Sequence, residues 1–184
     1  MDTLRYFKDL AKAQHREFRG SIASDSVGLQ RVQHLVAVNA GYASWDALRG
    51  ASSADRDLAV AMTLEPHLCI NGFGAGSFDV PLEARRARFA GWRLELRGRA
   101  THVAEILKWL ESNVERRKTI NPDYGSYGLK HMAERHLGAY VANGEFIAAA
   151  IIAGYPYRRG EGTSPNATFG MSSRSLAVLR RGAA

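Results

Sequence analysis

Apolar residues recur at helical spacing through the first third of the chain. Leu4, Phe7, Leu10, Ala11, Gln14 and Phe18 fall on one face, with Arg5, Lys8, Lys12 and Arg16 mostly on others, so the stretch to about residue 17 reads as an amphipathic helix. Small residues at 20–26 suggest a loop, with Ser24, Asp25 or Ser26 available to cap a second helix over 27–39. Leu29, Val32, Leu35 and Val36 form its expected buried stripe, and Gly41 supplies a left-handed stop. Ser44 is placed to cap a short helix carrying Trp45 and Leu48, ended by Gly50, and Ser53 and Asp55 open another through Met62. Residues 1–65 therefore read as a helical module.

The pattern changes after Pro66. Residues 68–77 (LCINGFGAGS) are apolar and then Gly-rich, which suggests a strand entering a tight loop. A helix is expected over 82–89 behind Pro81. WRLELR at 92–97 alternates apolar and charged residues between Gly91 and Gly98, the pattern of a half-buried strand. The alternative is one continuous helix over 82–97, aligning Leu82, Phe89, Trp92 and Leu96. Thr101 can cap a helix from His102 to about Arg117, with Val103, Ile106, Leu107, Leu110 and Val114 facing a core. NPDYGS at 121–126 has turn chemistry. A helix capped by Ser126 and closed by Gly138 follows, then one capped by Asn143 and closed by Gly154. The latter is apolar on every face, hence central and buried. A polar loop at 155–165, a short strand at 166–170 and a helix at 172–181 complete the reading. The expected fold is mainly α (α+β): the helical module 1–65, then a mixed helical domain 66–184 with a small β-sheet.

Composition narrows the function classes. The chain has 184 residues, a formal net charge of +7 and 46% hydrophobic residues, which excludes wholesale disorder. A single cysteine, Cys69, excludes an internal disulfide framework and a cysteine-based zinc cluster. No apolar run is long enough to span a bilayer, and no apolar N-terminal stretch resembles a secretion signal, so a cytoplasmic location is expected.

The charge is concentrated. Arg85, Arg86, Arg88, Arg93, Arg97 and Arg99 face one acid, Glu95, between positions 85 and 99. Arg116, Arg117 and Lys118 form a second group, and Arg158 and Arg159 follow Tyr155 and Tyr157. Arginine rows neutralise phosphates and form bidentate contacts with them, giving salt-dependent, sequence-tolerant affinity. A solvated surface is the plain alternative.

Other motifs are weaker. A helix–turn–helix at 129–154 would need a polar second helix, but that helix reads FIAAAIIAG. The pair at 27–48 offers Gln30, Arg31, Gln33 and His34 instead. Lys130, His131, Glu134 and Arg135 share a polar helix face, where His131 and Glu134 have the spacing of an acid–base pair. The simpler reading is a surface Lys130–Glu134 pair beside an exposed histidine. His136 lies off the face of His131, which spoils a two-histidine metal site. The glycines at 72–77 lack the Lys-Ser/Thr of a phosphate-binding loop. No metal site and no cofactor are expected, and Cys69 reads as a buried thiol.

Two segments carry resemblances. The run over 29–48, with Gly41, Tyr42, Ser44, Trp45 and Leu48, resembles the N-terminal helical module of plasmid-borne glyoxalase-related proteins. No metal-binding glyoxalase domain follows it in this chain. Residues 126–131, with Glu134, Tyr140, Asn143, Gly144, Phe146 and Ile147, resemble an uncharacterised family of plasmid and phage accessory proteins, from which no functional residue carries over. The resemblance implies a mobile-element setting.

The expected function is a non-enzymatic accessory protein that binds nucleic acid or a nucleoprotein complex, with inhibition of a host defence system as a variant. The expected contact residues are the eleven Lys and Arg positions just named in the three groups, together with Lys130 and His131. The alternative is an enzyme acting on a phosphate-bearing substrate through region 124–134, where Tyr124, Ser126 and Tyr127 lie upstream of His131. No membrane partner is expected, and a homodimer is the alternative assembly.

Overall fold

The computed structural model describes residues 2–21, 27–74, 76 and 80–182. It divides into two compact units, Met1–Leu64 and Glu65–Ala184. The architecture is mainly α with a small β component, and no described helix is long and apolar enough to cross a membrane.

The first unit is all-helical: α1 (Thr3–Ser21), α2 (Leu29–Asn39), α3 (Trp45–Gly50) and α4 (Ser53–Leu64). Phe7 and Ala11 of α1, Val32 and Val36 of α2, Leu48 of α3 and Ala59 and Val60 of α4 close its core. Ser44 caps α3 as its sequence suggests, accepting from the Ala47 amide at 3.1 Å. Leu35 departs from the expected stripe and is exposed, because Ala37 takes the inward position beside Val36. The proposed caps at Ser24, Asp25 and Ser26 lie outside the described residues.

The second unit begins with a small hairpin, β1 (Leu68–Cys69) and β2 (Gly72–Phe73), followed by α5 (Leu82–Arg97) and α6 (Ala100–Asn113). Then come β3 (Arg116–Gly125), α7 (Ser126–Leu137), α8 (Asn143–Ile152), β4 (Tyr157–Arg159), β5 (Ala167–Met171) and α9 (Ser173–Gly182). The larger sheet is antiparallel in the order β3-β5-β4, leaving β3 and β4 as its edges. α8 is buried from Asn143 through Ala150 and packs against α6, α7 and the hairpin, so the all-apolar helix is central as its sequence requires.

Four expectations are corrected. The alternating segment 92–97 is the end of a continuous helix rather than a strand. A strand would need Trp92, Leu94 and Leu96 on one buried face, whereas Leu96 is fully buried and Leu94 is 74% exposed. α6 stops at Asn113 instead of running to Arg117, and residues 116–125 pair with β5. The turn chemistry of 121–126 appears as irregular register within that edge strand. Asn121 accepts from the Asp123 amide at 3.2 Å, and its side chain donates to the Met171 carbonyl at 3.0 Å. Finally, β4 occupies part of what reads as a polar loop, since Tyr157, Arg158 and Arg159 pair with Phe169, Thr168 and Ala167.

Candidate functional site

The charge divides unevenly between the units. The second unit holds 17 Lys and Arg against 11 Asp and Glu, whereas the first holds 8 against 7. The excess of the second unit is distributed over α5, the α5–α6 junction, the two sheet edges and α9, which carries Arg174, Arg180 and Arg181 with no acid.

Helical geometry separates the α5 cations. At about 100° per residue, Arg86, Arg93 and Arg97 lie within about 40° of one another, while Arg88 projects on the flank that carries Trp92. Arg88 stacks 5.1 Å from the Trp92 ring centre. Arg86 is exposed, 3.9 Å from Glu83, while Arg85 and Arg97 are half-buried. Arg93 is turned inward as a tether. Its Nη1 donates to the carbonyls of Glu65, Pro66 and Leu68 at 3.3, 2.7 and 2.8 Å, fastening α5 to the hairpin.

On β3, Lys118 is exposed, Arg117 donates to Thr119 Oγ1 at 3.2 Å, and Arg116 lies 5.8 Å from the Tyr155 ring. Tyr155 is buried and donates to the Val114 and Leu110 carbonyls, and burial pushes its hydroxyl up to about 12. On β4, Arg158 is exposed. Arg159 is committed to the buried carboxylate of Glu65, which also accepts from the Tyr157 hydroxyl.

Region 124–134 is a structural fastening. Lys130 is 4% exposed rather than a surface residue. Its Nζ donates to Glu134 Oε1 at 2.8 Å and to the Val141 carbonyl at 3.1 Å. The Val141 amide donates to the same Glu134 oxygen at 3.1 Å, and His131 Nδ1 donates to the other. Burial pushes the Glu134 carboxyl up, but the bonds from Lys130, Val141 and His131 outweigh it and hold the group below the ordinary carboxylate range. Ser126 is buried and begins α7 instead of capping it, its hydroxyl accepting from the Ala167 amide at 3.1 Å. His131 packs edge-on to Tyr127, 4.7 Å between ring centres. The region therefore joins α7 to the chain entering α8 and to β5.

A second constellation, absent from the residues chosen by sequence, lies around the start of α8. His102 in the first turn of α6 donates from Nδ1 to Glu145 Oε1 at 3.0 Å. The Glu145 side chain is 3% exposed, and its other oxygen accepts from the Ala142 amide at 2.7 Å. Arg99 Nε lies 3.9 Å from Glu145 and Arg99 also approaches Glu95 at 3.9 Å. These groups open into a cleft of about 410 Å³ walled by Trp92, Tyr140 and Asn71. Because an ionised carboxylate only accepts, the Nδ1–H tautomer leaves His102 Nε2 as a bare acceptor, with no hydrogen-bond partner among the described residues. The pair escapes sequence inspection because its members are 43 positions apart. The one available hint is Glu145 itself, a lone carboxylate in an apolar helix, which must find a partner when buried.

No family model, curated protein or solved structure matches the chain.

Two remaining motifs are structural. Asn143 begins α8 instead of capping it, and its amide donates to the carbonyls of Asn71 and Pro165 and to Asn166 Oδ1. Cys69 is fully buried, and burial pushes its thiol up, away from the reactive thiolate. Among the described residues no group of three His, Cys, Asp or Glu is placed to hold a metal ion. The helix pair at 129–154 offers no polar recognition helix, since α8 is enclosed, whereas α2 exposes Gln30, Arg31 and His34.

Proposed function

We propose that the protein binds nucleic acid through its second unit, as an accessory protein of a mobile element. The observation that carries this reading is the charge partition, 17 basic against 11 acidic residues in that unit, with exposed cations on α5 and on both edges of the larger sheet. Such a distribution favours phosphate contacts and counterion release over base readout. Arg86, Arg99, Lys118 and Arg158 are the exposed contact residues of first choice. Arg93, Lys130 and Arg159 support the fold that presents them, because their head groups are already bonded.

Filter binding of single- and double-stranded nucleic acid across a salt series tests the reading. The Arg86→Glu, Lys118→Glu, Arg158→Glu triple variant is expected to bind much more weakly, with a salt slope reduced by about 3. Absence of binding to DNA and RNA at low salt overturns it. The second reading, an enzyme on a phosphate-bearing substrate, draws its support from the His102 cleft and not from region 124–134.

A further inference from the structure

We infer that the cleft holding His102, Glu145 and Arg99 is a ribonucleolytic site, in which His102 acts as general base on the 2′-hydroxyl of bound RNA. The inference rests on the nucleic-acid reading above and gives it a substrate class.

The first support is the paired orientation of the two side chains. Glu145 is fixed twice, by the Ala142 amide and by His102, so it cannot swing away from the imidazole. A carboxylate on Nδ1 sets the tautomer, orients the ring and stabilises the imidazolium that forms when Nε2 takes a proton. The second support is the position of Arg99, whose guanidinium approaches Glu145 while its side chain remains 53% exposed at the cleft. A cation there meets the negative charge that grows on a phosphoryl group during displacement. The third support is shape: about 410 Å³ lies within the usual range of ligand pockets, and Trp92 and Tyr140 give it aromatic walls on which a base can stack.

The fourth point selects the substrate. The residues lining the cleft include no serine, threonine or cysteine, the usual protein nucleophiles beside a histidine base. A histidine base there acts on water or on a hydroxyl that the substrate brings, and RNA carries such a hydroxyl beside every phosphate, where its intramolecular attack is favoured over that of water. In the step, the 2′-hydroxyl gives its proton to His102 Nε2 as the O2′–P bond forms and the P–O5′ bond breaks. The departing 5′-oxygen takes a proton from water, and His102 returns its own proton to solvent. The products are a 2′,3′-cyclic phosphate and a 5′-hydroxyl end. The charged groups facing the imidazole are Glu145 from α8, Arg99 at the α5–α6 junction and Glu95 from the end of α5.

The test incubates the full chain with an end-labelled single-stranded RNA and with the same sequence carrying 2′-O-methyl groups, alongside filter binding of both. Cleavage of the unmodified RNA to cyclic-phosphate ends is expected, with the methylated strand bound but intact. His102→Gln is expected to lose about 100-fold or more in rate while retaining RNA affinity and melting temperature, and added imidazole is expected to restore part of the rate. Glu145→Gln is expected to lower the cleavage rate while RNA affinity is retained. RNA that is bound but never cleaved overturns this inference and leaves the binding reading standing; RNA neither bound nor cleaved overturns both. Equal cleavage of the methylated strand, or wild-type rates from His102→Gln, also overturns it.

Discussion

Gly144 and the carbonyl of Cys69 approach so closely that a Cβ on Gly144 would lie 1.9 Å from the oxygen. The same contact carries a hydrogen bond, since the Gly144 amide donates to the neighbouring Ile70 carbonyl at 2.9 Å. The first turn of α8 is thereby seated against the hairpin backbone, which cannot yield like a flexible side chain. Gly144→Ala is expected to destabilise the second unit at or above the upper end of the ~1–3 kcal/mol typical of overpacked cores. Urea unfolding checks it, and an unchanged midpoint would show that the hairpin adapts freely.

Lys130 should matter for stability more than for ligand contact. Removing its ammonium leaves the Glu134 carboxylate largely buried without its nearest cation. Lys130→Met is expected to lower stability by about 3 kcal/mol, and the Lys130→Met, Glu134→Gln pair is expected to recover part of the loss. A double-mutant cycle measures the coupling, and additive losses would refute it.

Acid should weaken the same fastening. The folded-state pKa of Glu134 lies below the ordinary value of 4.5, so its stabilising contribution is complete above that value. The contribution is lost as pH falls from about 4.5 through the lower folded-state value. Glu134→Gln should start less stable at neutral pH and lose less on acidification. Chemical unfolding at a series of pH values reads this directly; parallel curves for the two proteins would contradict the assignment.

Arg93 separates the arginines that support from those that meet a partner. Three carbonyls converge on its Nη1. Arg93→Ala is expected to cost about 1.5–3 kcal/mol of stability. It should leave the salt dependence of nucleic-acid binding nearly unchanged when measured below its melting transition. A slope reduced as much as in Arg86→Glu would place Arg93 at the interface instead.

Much of the helical framework was legible in the sequence because its signals are local. Val103, Ile106 and Leu110 mark α6 by spacing alone, and Gly138 closes α7 in the left-handed conformation, at φ 67°. β3 was not legible because its partner is about 50 positions away and its residues do not alternate in burial. Helix and strand readings of 92–97 differed only in whether Leu94 is buried, which depends on what packs beside it. The arginine groups were visible as composition, but only the fold reveals that Arg93 and Arg159 are engaged internally. His102 and Glu145 carried no shared local pattern and became a pair through the packing of α6 on α8.

The order β3-β5-β4 leaves two backbone edges whose unpaired amides and carbonyls are a template for another strand. Arg116 and Lys118 occupy one edge and Arg158 the other, so like charges repel any second copy that approaches edge to edge. Cations suited to phosphate thus double as protection against polymerisation. Neutralising them should release both properties together, with weaker binding accompanied by growing particle size in light scattering.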